Sequence, residues 1–351
     1  MFITKLNIHN FRNILYKDFY FKNKINIFHG ENGVGKTSIL EAIHLTASGK
    51  SFRKSATKSL INFKKKDFTI FLETVNNQTK KSFSINKNIN GKFKAKINNK
   101  SIAKQSEITT VFPVISIDPE VYRLVDYGPL YRRNYLDWLV FHVKHDYMSL
   151  WKNTYKCIKQ LNFLYKHKAP QNEIYFWEEN FSNFAEELNL IRMQYFTLVS
   201  NEIKKMSSIM QSELSDLSLI FKQGWSNEYT LKEQLIIDKE KNRLYGQLQH
   251  GPHKMDIQIK DGKQQANQTL SRGQKKLLSI IFYMAYIEIL IQNEKQPILC
   301  LDDLDAELDS NKLSKAASYF ISTNSQIFIT SVLKEKISNV FPQAELFHVK
   351  R

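Results

Sequence analysis

Three glycines, a lysine and a threonine form the densest cluster of chemically suggestive residues in this chain. Residues 30–37 read G-E-N-G-V-G-K-T, although the 351 residues contain only 11 glycines. Glycines allow successive backbone amides to converge on one anion without obstruction by Cβ atoms. The following lysine can reach the β- and γ-phosphates of a nucleoside triphosphate, and the hydroxyl can ligate Mg²⁺. The spacing G-x-x-x-x-G-K-[ST] therefore predicts a phosphate-binding loop.

Every residue of this loop is a predicted contact for ATP, and the alternative is a chance glycine-rich turn. An apolar strand, residues 25–28, leads in, and Ile39, Leu40, Ile43 and Leu45 follow at helical spacing, as the motif requires. Lys36 is also predicted to be catalytic, and Thr37 to bind Mg²⁺. The predicted nucleotide contacts in the loop are Gly30, Glu31, Asn32, Gly33, Val34, Gly35, Lys36 and Thr37.

Two adjacent aspartates supply the acidic group that a phosphate-binding loop needs beside it. The apolar run Ile298–Leu301 predicts a buried strand, and Asp302 and Asp303 follow it directly. A carboxylate at the end of a neighbouring strand is the usual second protein anchor for Mg²⁺. We predict that Asp302 binds Mg²⁺ and that Asp303 orients or deprotonates the attacking water. Many related ATPases carry glutamate at the second position, and the shorter aspartate predicts slow turnover.

A second anion site is predicted where a long apolar helix begins. Residues 270–274 read L-S-R-G-Q, which resembles the L-S-G-G-Q signature of ABC-type ATPases, and residues 306–309, A-E-L-D, resemble their D-loop. The resemblance implies that Ser271, Gly273 and Gln274 contact the γ-phosphate of ATP bound by a partner subunit. Two ATP molecules would then lie between two chains. The alternative is an ordinary helix cap at Ser271.

Three departures from the ABC pattern bear on catalysis and leave nucleotide binding unaffected. Arg272 replaces the glycine that usually stands third in the signature. Thr330 and Ser331 stand where a switch histidine is expected, after the strand 326–330. No clear Q-loop glutamine is present, and residues 114–120, with Asp118 or Glu120, are our candidate for its place.

The remaining pattern predicts an α/β fold in two parts. The chain begins with short alternating segments typical of strands, and residues 60–112 continue as strands with a hairpin turn at Asn90-Gly91. Residues 120–222 are helical in pattern, and the end of the chain alternates helix and apolar strand, as parallel sheets do. We predict a P-loop NTPase with an ABC/SMC-like head and an inserted, mostly helical second lobe. The predicted boundaries are 1–119 and 245–351 for the ATP-binding lobe, and 120–244 for the helical lobe.

The formal net charge of +17 favours a polyanionic partner, because bound cations displace the counterions of phosphates. A lysine-rich bias of a whole proteome would produce the same charge. No zinc spacing, RNP motif or recognition helix after a turn suggests readout of bases, so sequence-independent backbone contact is expected. Each candidate could equally be a solvated residue or a structural ion pair, and the two arginines could hold a lobe interface. The candidate DNA contacts are Lys92, Lys94, Lys96, Arg132 and Arg133.

The expected compartment is the cytoplasm. Two cysteines, Cys157 and Cys300, have neither a metal-binding nor a disulfide spacing. No signal peptide is evident, and the most apolar run, 277–291, is too short and too polar to span a bilayer. We therefore expect no membrane partner.

Taken together, these motifs resemble the RecF family of bacterial recombination proteins over essentially the whole chain. The segments N-F-R-N, G-E-N-G-V-G-K-T-S-I-L-E-A-I, S-F-R-K, Y-R-R-N-Y-L-D-W-L-V-F-H, H-G-P-H-K-M-D, L-S-R-G-Q-K-K and L-D-D-L-D-A-E-L-D occur in the family's order. The family is similar to the heads of SMC-type ATPases without the long coiled coil. By resemblance, Arg12 in N-F-R-N would approach the nucleotide, with a surface ion pair as the alternative.

The resemblance implies a DNA-binding ATPase that acts as a switch. ATP and Mg²⁺ would be its cofactors, and ATP would drive formation of a homodimer. The partners would be single-stranded or gapped DNA and mediators of the RecO and RecR type. The implied task is to help load recombinase, to support replication restart and to support SOS induction, with slow, DNA-stimulated ATP hydrolysis.

Two other functional classes fit the nucleotide motifs. One is the ATPase subunit of an ABC membrane transporter, which the long helical segment, the missing switch histidine and the basic strand disfavour. The other is a structural clamp that binds ATP without hydrolysing it.

Overall fold

The computed structural model describes residues 1–53, 57–76, 78–211, 214 and 217–350. The S-F-R-K segment ends at residue 54, which lies outside the described residues. The chain forms two compact units, Met1–Val121 with Leu290–Arg351, and Tyr122–Ile289. The first boundary lies close to the predicted one. At the second, residues 245–289 group with the helical unit, whereas the predicted boundary placed them in the ATP-binding lobe.

A parallel sheet of five strands forms the centre of the first unit, and two of its strands precede the predicted catalytic segments. The strand order is β14-β3-β13-β12-β8, and all neighbouring pairs are parallel. Strands in the middle of the sheet are almost wholly buried, as expected for a sheet covered on both faces. The strands are β3 (Ile25–His29), β8 (Val114–Ile117), β12 (Ile298–Leu301), β13 (Ile327–Ser331) and β14 (Glu345–His348).

The helix that follows the phosphate-binding loop is α1 (Lys36–Ser48), and it buries the predicted Ile39, Leu40, Ile43 and Leu45. It ends at Gly49, whose left-handed backbone (φ 72°) lets its amide donate to the Leu45 carbonyl at 2.8 Å. The other helices that begin in this unit are α2 (Thr57–Leu60), α3 (Ser106–Val111), α12 (Leu304–Glu307), α13 (Ser310–Ser322) and α14 (Lys334–Val340).

An antiparallel sheet of the order β2-β1-β4-β5-β6-β7 completes the first unit. One face joins the main hydrophobic cluster through Leu6, Ile70 and Phe83, which are fully buried. The predicted hairpin forms between β5 and β6 around Asn90-Gly91, where Gly91 has φ 77°. The strands are β1 (Phe2–Phe11), β2 (Ile14–Tyr20), β4 (Asp67–Asn76), β5 (Thr79–Asn88), β6 (Phe93–Ile97) and β7 (Lys100–Ser101).

The second unit consists of helices with a small antiparallel sheet of the order β11-β10-β9. The pairing of β9 with β10 joins residues on either side of the predicted boundary at 244/245, which explains why 245–289 group with this unit. Its strands are β9 (Leu217–Lys222), β10 (Asp256–Asp261) and β11 (Gln264–Gln265). The helices are α4 (Arg123–Asp126), α5 (Pro129–Val143), α6 (Tyr147–Lys166), α7 (Gln171–Ile209), α8 (Leu231–Ile237), α9 (Lys239–Tyr245), α10 (Ala266–Thr269) and α11 (Arg272–Gln292), with a 3₁₀ turn at Pro252–Lys254.

A buried ion pair ties the long helix α7 to α5. The Arg192 side chain is fully buried and donates to both carboxylate oxygens of Asp137, at 2.8 Å each, and to the Pro252 carbonyl at 2.8 Å. Because all three guanidinium nitrogens donate to an acceptor, the buried positive charge of Arg192 is stabilised in the absence of water. Within the described part of the chain, no helix is both long enough and apolar enough to be a membrane span.

Candidate nucleotide-binding site

Glycine is required in the predicted loop by both backbone angle and space. Gly30 has φ 150°, and a Cβ there would lie 2.5 Å from the Val349 carbonyl oxygen. Gly35 has φ 110°, and a Cβ there would lie 3.0 Å from the Asn13 side-chain oxygen. Any larger residue would therefore strain the backbone and displace a neighbour. The loop ends where α1 begins, so the amides of the first turn face the same space.

Lys36 is held within the loop and has one ammonium hydrogen left to donate. The residue is only 5% exposed, and its Nζ donates to the carbonyls of Gly30 and Glu31, at 2.9 Å each. An ammonium group carries three donors, so a third hydrogen bond to an anion above the loop is available. This arrangement fits a lysine that contacts a terminal phosphate.

The two predicted Mg²⁺ ligands are neighbours, since the Thr37 hydroxyl is near enough to lower the pKa of the Asp302 carboxyl. Asp302 follows β12 and is buried, and its carboxylate accepts a hydrogen bond from the Thr330 hydroxyl at 2.7 Å. Burial raises the pKa of Asp302 to about 6, whereas the hydroxyls of Thr330 and Thr37 lower it. A carboxylate beside a hydroxyl is the oxygen donor set that Mg²⁺ prefers. The described residues contain no group of three or more histidine, cysteine, aspartate or glutamate side chains that could hold a metal ion.

Thr330 connects the two aspartates, because β13 lies between β3 and β12 in the sheet. Its buried Oγ1 donates to Asp302 Oδ1 at 2.7 Å and accepts from the backbone amide of Asp303 at 2.9 Å. Asp303 has a left-handed backbone (φ 49°, ψ 39°), which aspartate tolerates better than most residues. One hydroxyl thus fixes both the carboxylate of Asp302 and the backbone of Asp303.

A cavity of about 460 Å³ lies over the loop and brings the predicted residues together. Its lining includes Lys36 and Thr37 from the loop and Asp303 from the acidic strand. Arg12, Asn13 and Arg53 also line it; of these, only Arg12 was considered from the sequence. The Gln-loop candidate Asp118 follows β8, whose neighbour is β12, and its Oδ1 accepts from the Glu120 amide at 2.7 Å.

Two residues of the N-F-R-N segment make contacts next to the cavity, one to α1 and one to the loop and α1. Arg12 donates twice to the buried Glu41 carboxylate, at 2.9 and 2.6 Å, so it forms an ion pair and also lines the cavity. Asn13 donates to the Gly33 carbonyl at 2.9 Å and accepts from the Ser38 hydroxyl at 3.2 Å. The role of Asn13 could not be predicted from the sequence, because its partners Gly33 and Ser38 are 20 and 25 positions away in the chain.

The signature residues form a helix cap, which is the alternative to a phosphate site that the sequence left open. The Ser271 amide donates to Gln274 Oε1 at 2.8 Å, and the Gln274 amide donates to Ser271 Oγ at 3.2 Å. This reciprocal pair is a capping box at the start of α11. Ser271, Arg272 and Gly273 are nevertheless exposed, and the Arg272 guanidinium lies 5.4 Å from the centre of the Tyr122 ring. Capping therefore leaves this surface accessible.

The five candidate DNA contacts separate into two groups. Lys92, Lys94 and Lys96 are exposed; of the residues between them, Ala95 packs into the core whereas Phe93 is 40% exposed. Arg132 instead donates to both oxygens of Asp256, at 2.8 and 3.0 Å, and to the Tyr127 carbonyl at 2.6 Å. Arg133 donates to a backbone carbonyl at residue 255, and burial lowers its pKa. The geometry favours a structural role for the two arginines.

Comparison with known proteins assigns the family. The model of the RecF/RecN/SMC N terminal domain matches residues 2–351. The DNA replication and repair protein RecF of Pseudoalteromonas translucida (strain TAC 125) is 35% identical over 358 aligned residues, which cover 100% of this chain and 98% of that protein. This chain belongs to the RecF family. The RecF of Saccharophagus degradans is 32% identical, with 99% of this chain and 97% of that protein covered.

Solved structures of the family and of SMC heads share the fold. The structure of the recombination mediator protein RecF with ATP matches with a TM-score of 0.86 at 24% identity, covering 95% of this chain and 92% of that one. An SMC head bound to the winged-helix domain of ScpA matches with a TM-score of 0.58 at 16% identity, covering 97% of this chain and 92% of that one. These matches confirm the predicted ABC/SMC-like head fold.

Proposed function

We propose that this protein is an ATP-dependent DNA-binding protein of recombinational repair and replication restart. The observation that carries the proposal is the cavity in which the buried Lys36, Thr37 and Asp303 meet. Asp302 lies next to it and is joined to the Asp303 amide through the Thr330 hydroxyl. The RecF relatives are named as DNA replication and repair proteins, which supplies the biological setting. In this proposal the protein helps mediators of the RecO and RecR type to load recombinase, and it supports SOS induction from the cytoplasm.

The chain's own residues bind and orient the triphosphate. Loop amides and the third hydrogen of Lys36 hold the β- and γ-phosphates, and Thr37 and Asp302 hold Mg²⁺. When bound, Mg²⁺ neutralises charge that develops on the phosphate oxygens. Asp303 then orients the attacking water, at a position determined by the hydrogen bond of its amide to Thr330. Its side chain is one methylene shorter than glutamate, so slow turnover is expected.

Dimerisation around two ATP molecules is the second part of the proposal. The exposed Ser271 and Gly273 of one copy would contact the γ-phosphate bound by the other, with Gln274 holding the helix start in shape. ATP would then act as a switch for assembly, and hydrolysis, stimulated by DNA, would release it. Single-stranded or gapped DNA is the expected ligand. Lys92, Lys94 and Lys96 remain the candidate contacts in the first unit, because all three are exposed.

The proposal is tested by measuring the mass of the protein in solution without nucleotide, with ADP and with ATP, each with and without DNA. We expect a dimer only with ATP. Lys36→Ala should abolish both the dimer and turnover, because the phosphates lose a buried charge-assisted contact. Asp303→Asn should retain the ATP-dependent dimer while turnover stops. A protein that stays monomeric when saturated with a non-hydrolysable ATP analogue and DNA would refute the switch.

A further inference from the structure

The outer face of α6 carries a straight row of cations that the nucleotide site does not use. Lys152, Lys156, Lys159, Phe163 and Lys166 are all exposed and follow one another at alternating intervals of four and three residues. That spacing places them along one side of a helix, over about 21 Å at 1.5 Å per residue. We call these five residues the α6 stripe.

No acidic residue neutralises the stripe from its own helix. The sequence of α6, YMSLWKNTYKCIKQLNFLYK, contains no aspartate or glutamate. Among the residues that the structure describes, none forms a hydrogen bond or an ion pair with any of the four lysines. Lys156 instead lies 6.0 Å from the centre of the Trp177 ring, a contact that leaves its charge unneutralised. A helix face stabilised by surface salt bridges alternates charges of opposite sign, and this row does not.

One exposed aromatic ring lies within the row. Phe163 is 55% exposed, and its ring lies 4.1 Å from that of His167, centre to centre. Single-stranded nucleic acids are bound by cations that follow the backbone and by aromatic rings on which bases stack. The stripe has both components.

We infer that the α6 stripe is a contact surface for the phosphate backbone of a nucleic acid, with Phe163 as a stacking position for an unpaired base. The inference rests on the proposed DNA binding and locates a contact surface in the second unit. A membrane-binding helix would need a broad apolar face beside its cations, and a protein-binding face would need several central apolar anchors. The stripe has four lysines and a single exposed aromatic residue, so it fits a polyanion better than a membrane or an apolar protein surface.

The test compares two variants with equal loss of charge. One is Lys152→Gln/Lys156→Gln/Lys159→Gln in the stripe. The control is Lys232→Gln/Lys239→Gln/Lys241→Gln, which changes three exposed lysines on α8 and α9 of the same unit. Affinity for a fluorescent gapped duplex of arbitrary sequence is measured with ATP at several salt concentrations. Circular dichroism and ATP binding establish that both variants are folded.

We expect the stripe variant to lose roughly 10- to 100-fold in affinity near 0.1 M salt, and its salt dependence to weaken by about 2–3 units of log K per log salt. The control should change by less than about 3-fold, because charges off the contact surface are screened. Phe163→Ala should weaken binding of a single strand more than binding of a duplex.

Several outcomes would overturn the inference while the proposed function survives. Equal losses in the two triple variants would show that only net charge matters. If the DNA affinity of the stripe variant is unchanged while that of Lys92→Gln/Lys94→Gln/Lys96→Gln is reduced, DNA contacts β6 and the loop before it, and not the stripe. A stripe variant that binds DNA normally but no longer binds polyglutamate, or phosphatidylserine vesicles, would assign the stripe to an acidic protein or a membrane. If the unmodified protein binds no DNA with ATP, the proposed function fails first.

Discussion

Replacing Thr330 by valine tests whether one hydroxyl organises the acidic pair. The two side chains have nearly the same shape, so Thr330→Val removes the hydroxyl with little change in packing. Its Oγ1 donates to Asp302 at 2.7 Å and accepts from the Asp303 amide at 2.9 Å, and the residue is fully buried. The valine variant therefore leaves one partly buried amide and one buried carboxylate oxygen short of a partner.

The size of the effect follows from these two groups. An unsatisfied buried amide costs about 1–3 kcal/mol, and a lost hydrogen bond to a charged group about 1.5–3 kcal/mol. The two losses share one site and are not additive, so we expect about 2–4 kcal/mol in total. At about 2–4 °C per kcal/mol for a domain of this size, the melting temperature should fall by roughly 5–15 °C. Displacement of Asp303 should lower turnover by about 10- to 100-fold.

Thermal melting and steady-state ATP hydrolysis, each with and without DNA, measure the two effects. Thr330→Ser is the matched control, because it keeps the hydroxyl and loses only a buried methyl, worth about 1 kcal/mol. The serine variant should keep most of the turnover. A valine variant that melts within 2 °C of the unmodified protein and hydrolyses ATP normally would refute the role given to this hydroxyl. So would a serine variant as impaired as the valine variant.

Three further predictions concern the loop, the second unit and acid stability. Gly35→Ala should lose measurable ATP binding in calorimetry, because the residue has φ 110° and a Cβ would lie 3.0 Å from Asn13 Oδ1. The control Gly91→Ala, which has open space around it, should bind ATP normally. Arg192→Leu should destabilise the second unit by about 3–5 kcal/mol in urea unfolding, because Asp137 loses its buried partner, and Arg192→Leu/Asp137→Leu should recover part of the loss. Burial lowers the pKa of His44 to about 4 from 6.5, so the folded state resists its protonation. Stability should then be intact above pH 6.5 and fall as pH drops toward 4, and His44→Gln should reduce the loss between pH 7 and 5 by about 1–2 kcal/mol in urea unfolding.

The local geometry of the candidate phosphate-binding loop could be predicted because it depends on neighbouring residues. The spacing of Gly30, Gly35, Lys36 and Thr37 needs only a strand before it and a helix after it, and the chain supplies both. Asp302 could be predicted because it ends an apolar strand of four residues. The fold class followed from the alternation of strands and helices, and the family comparison confirms it.

Contacts between distant segments could not be predicted in the same way. Thr330 and Asp303 are 27 positions apart, and only the place of β13 between β3 and β12 makes them neighbours. Arg132 and Asp256 are 124 positions apart, so the sequence could not choose between a DNA contact and an ion pair. The grouping of residues 245–289 with the helical unit likewise depends on the pairing of β9 with β10, a long-range event.

The substitution of threonine for the expected switch histidine connects the acidic pair to the proposed dimer. A histidine at the end of β13 would be long enough to contact a terminal phosphate, whereas the Thr330 hydroxyl is already used by Asp302 and the Asp303 amide. The strand thus contributes to the position of the carboxylates and supplies no donor to the phosphate. In our proposal the missing donor comes from the partner copy, where Ser271 and Gly273 are exposed. Turnover would then depend on assembly more strongly than in an enzyme with the histidine, which is the behaviour expected of a switch.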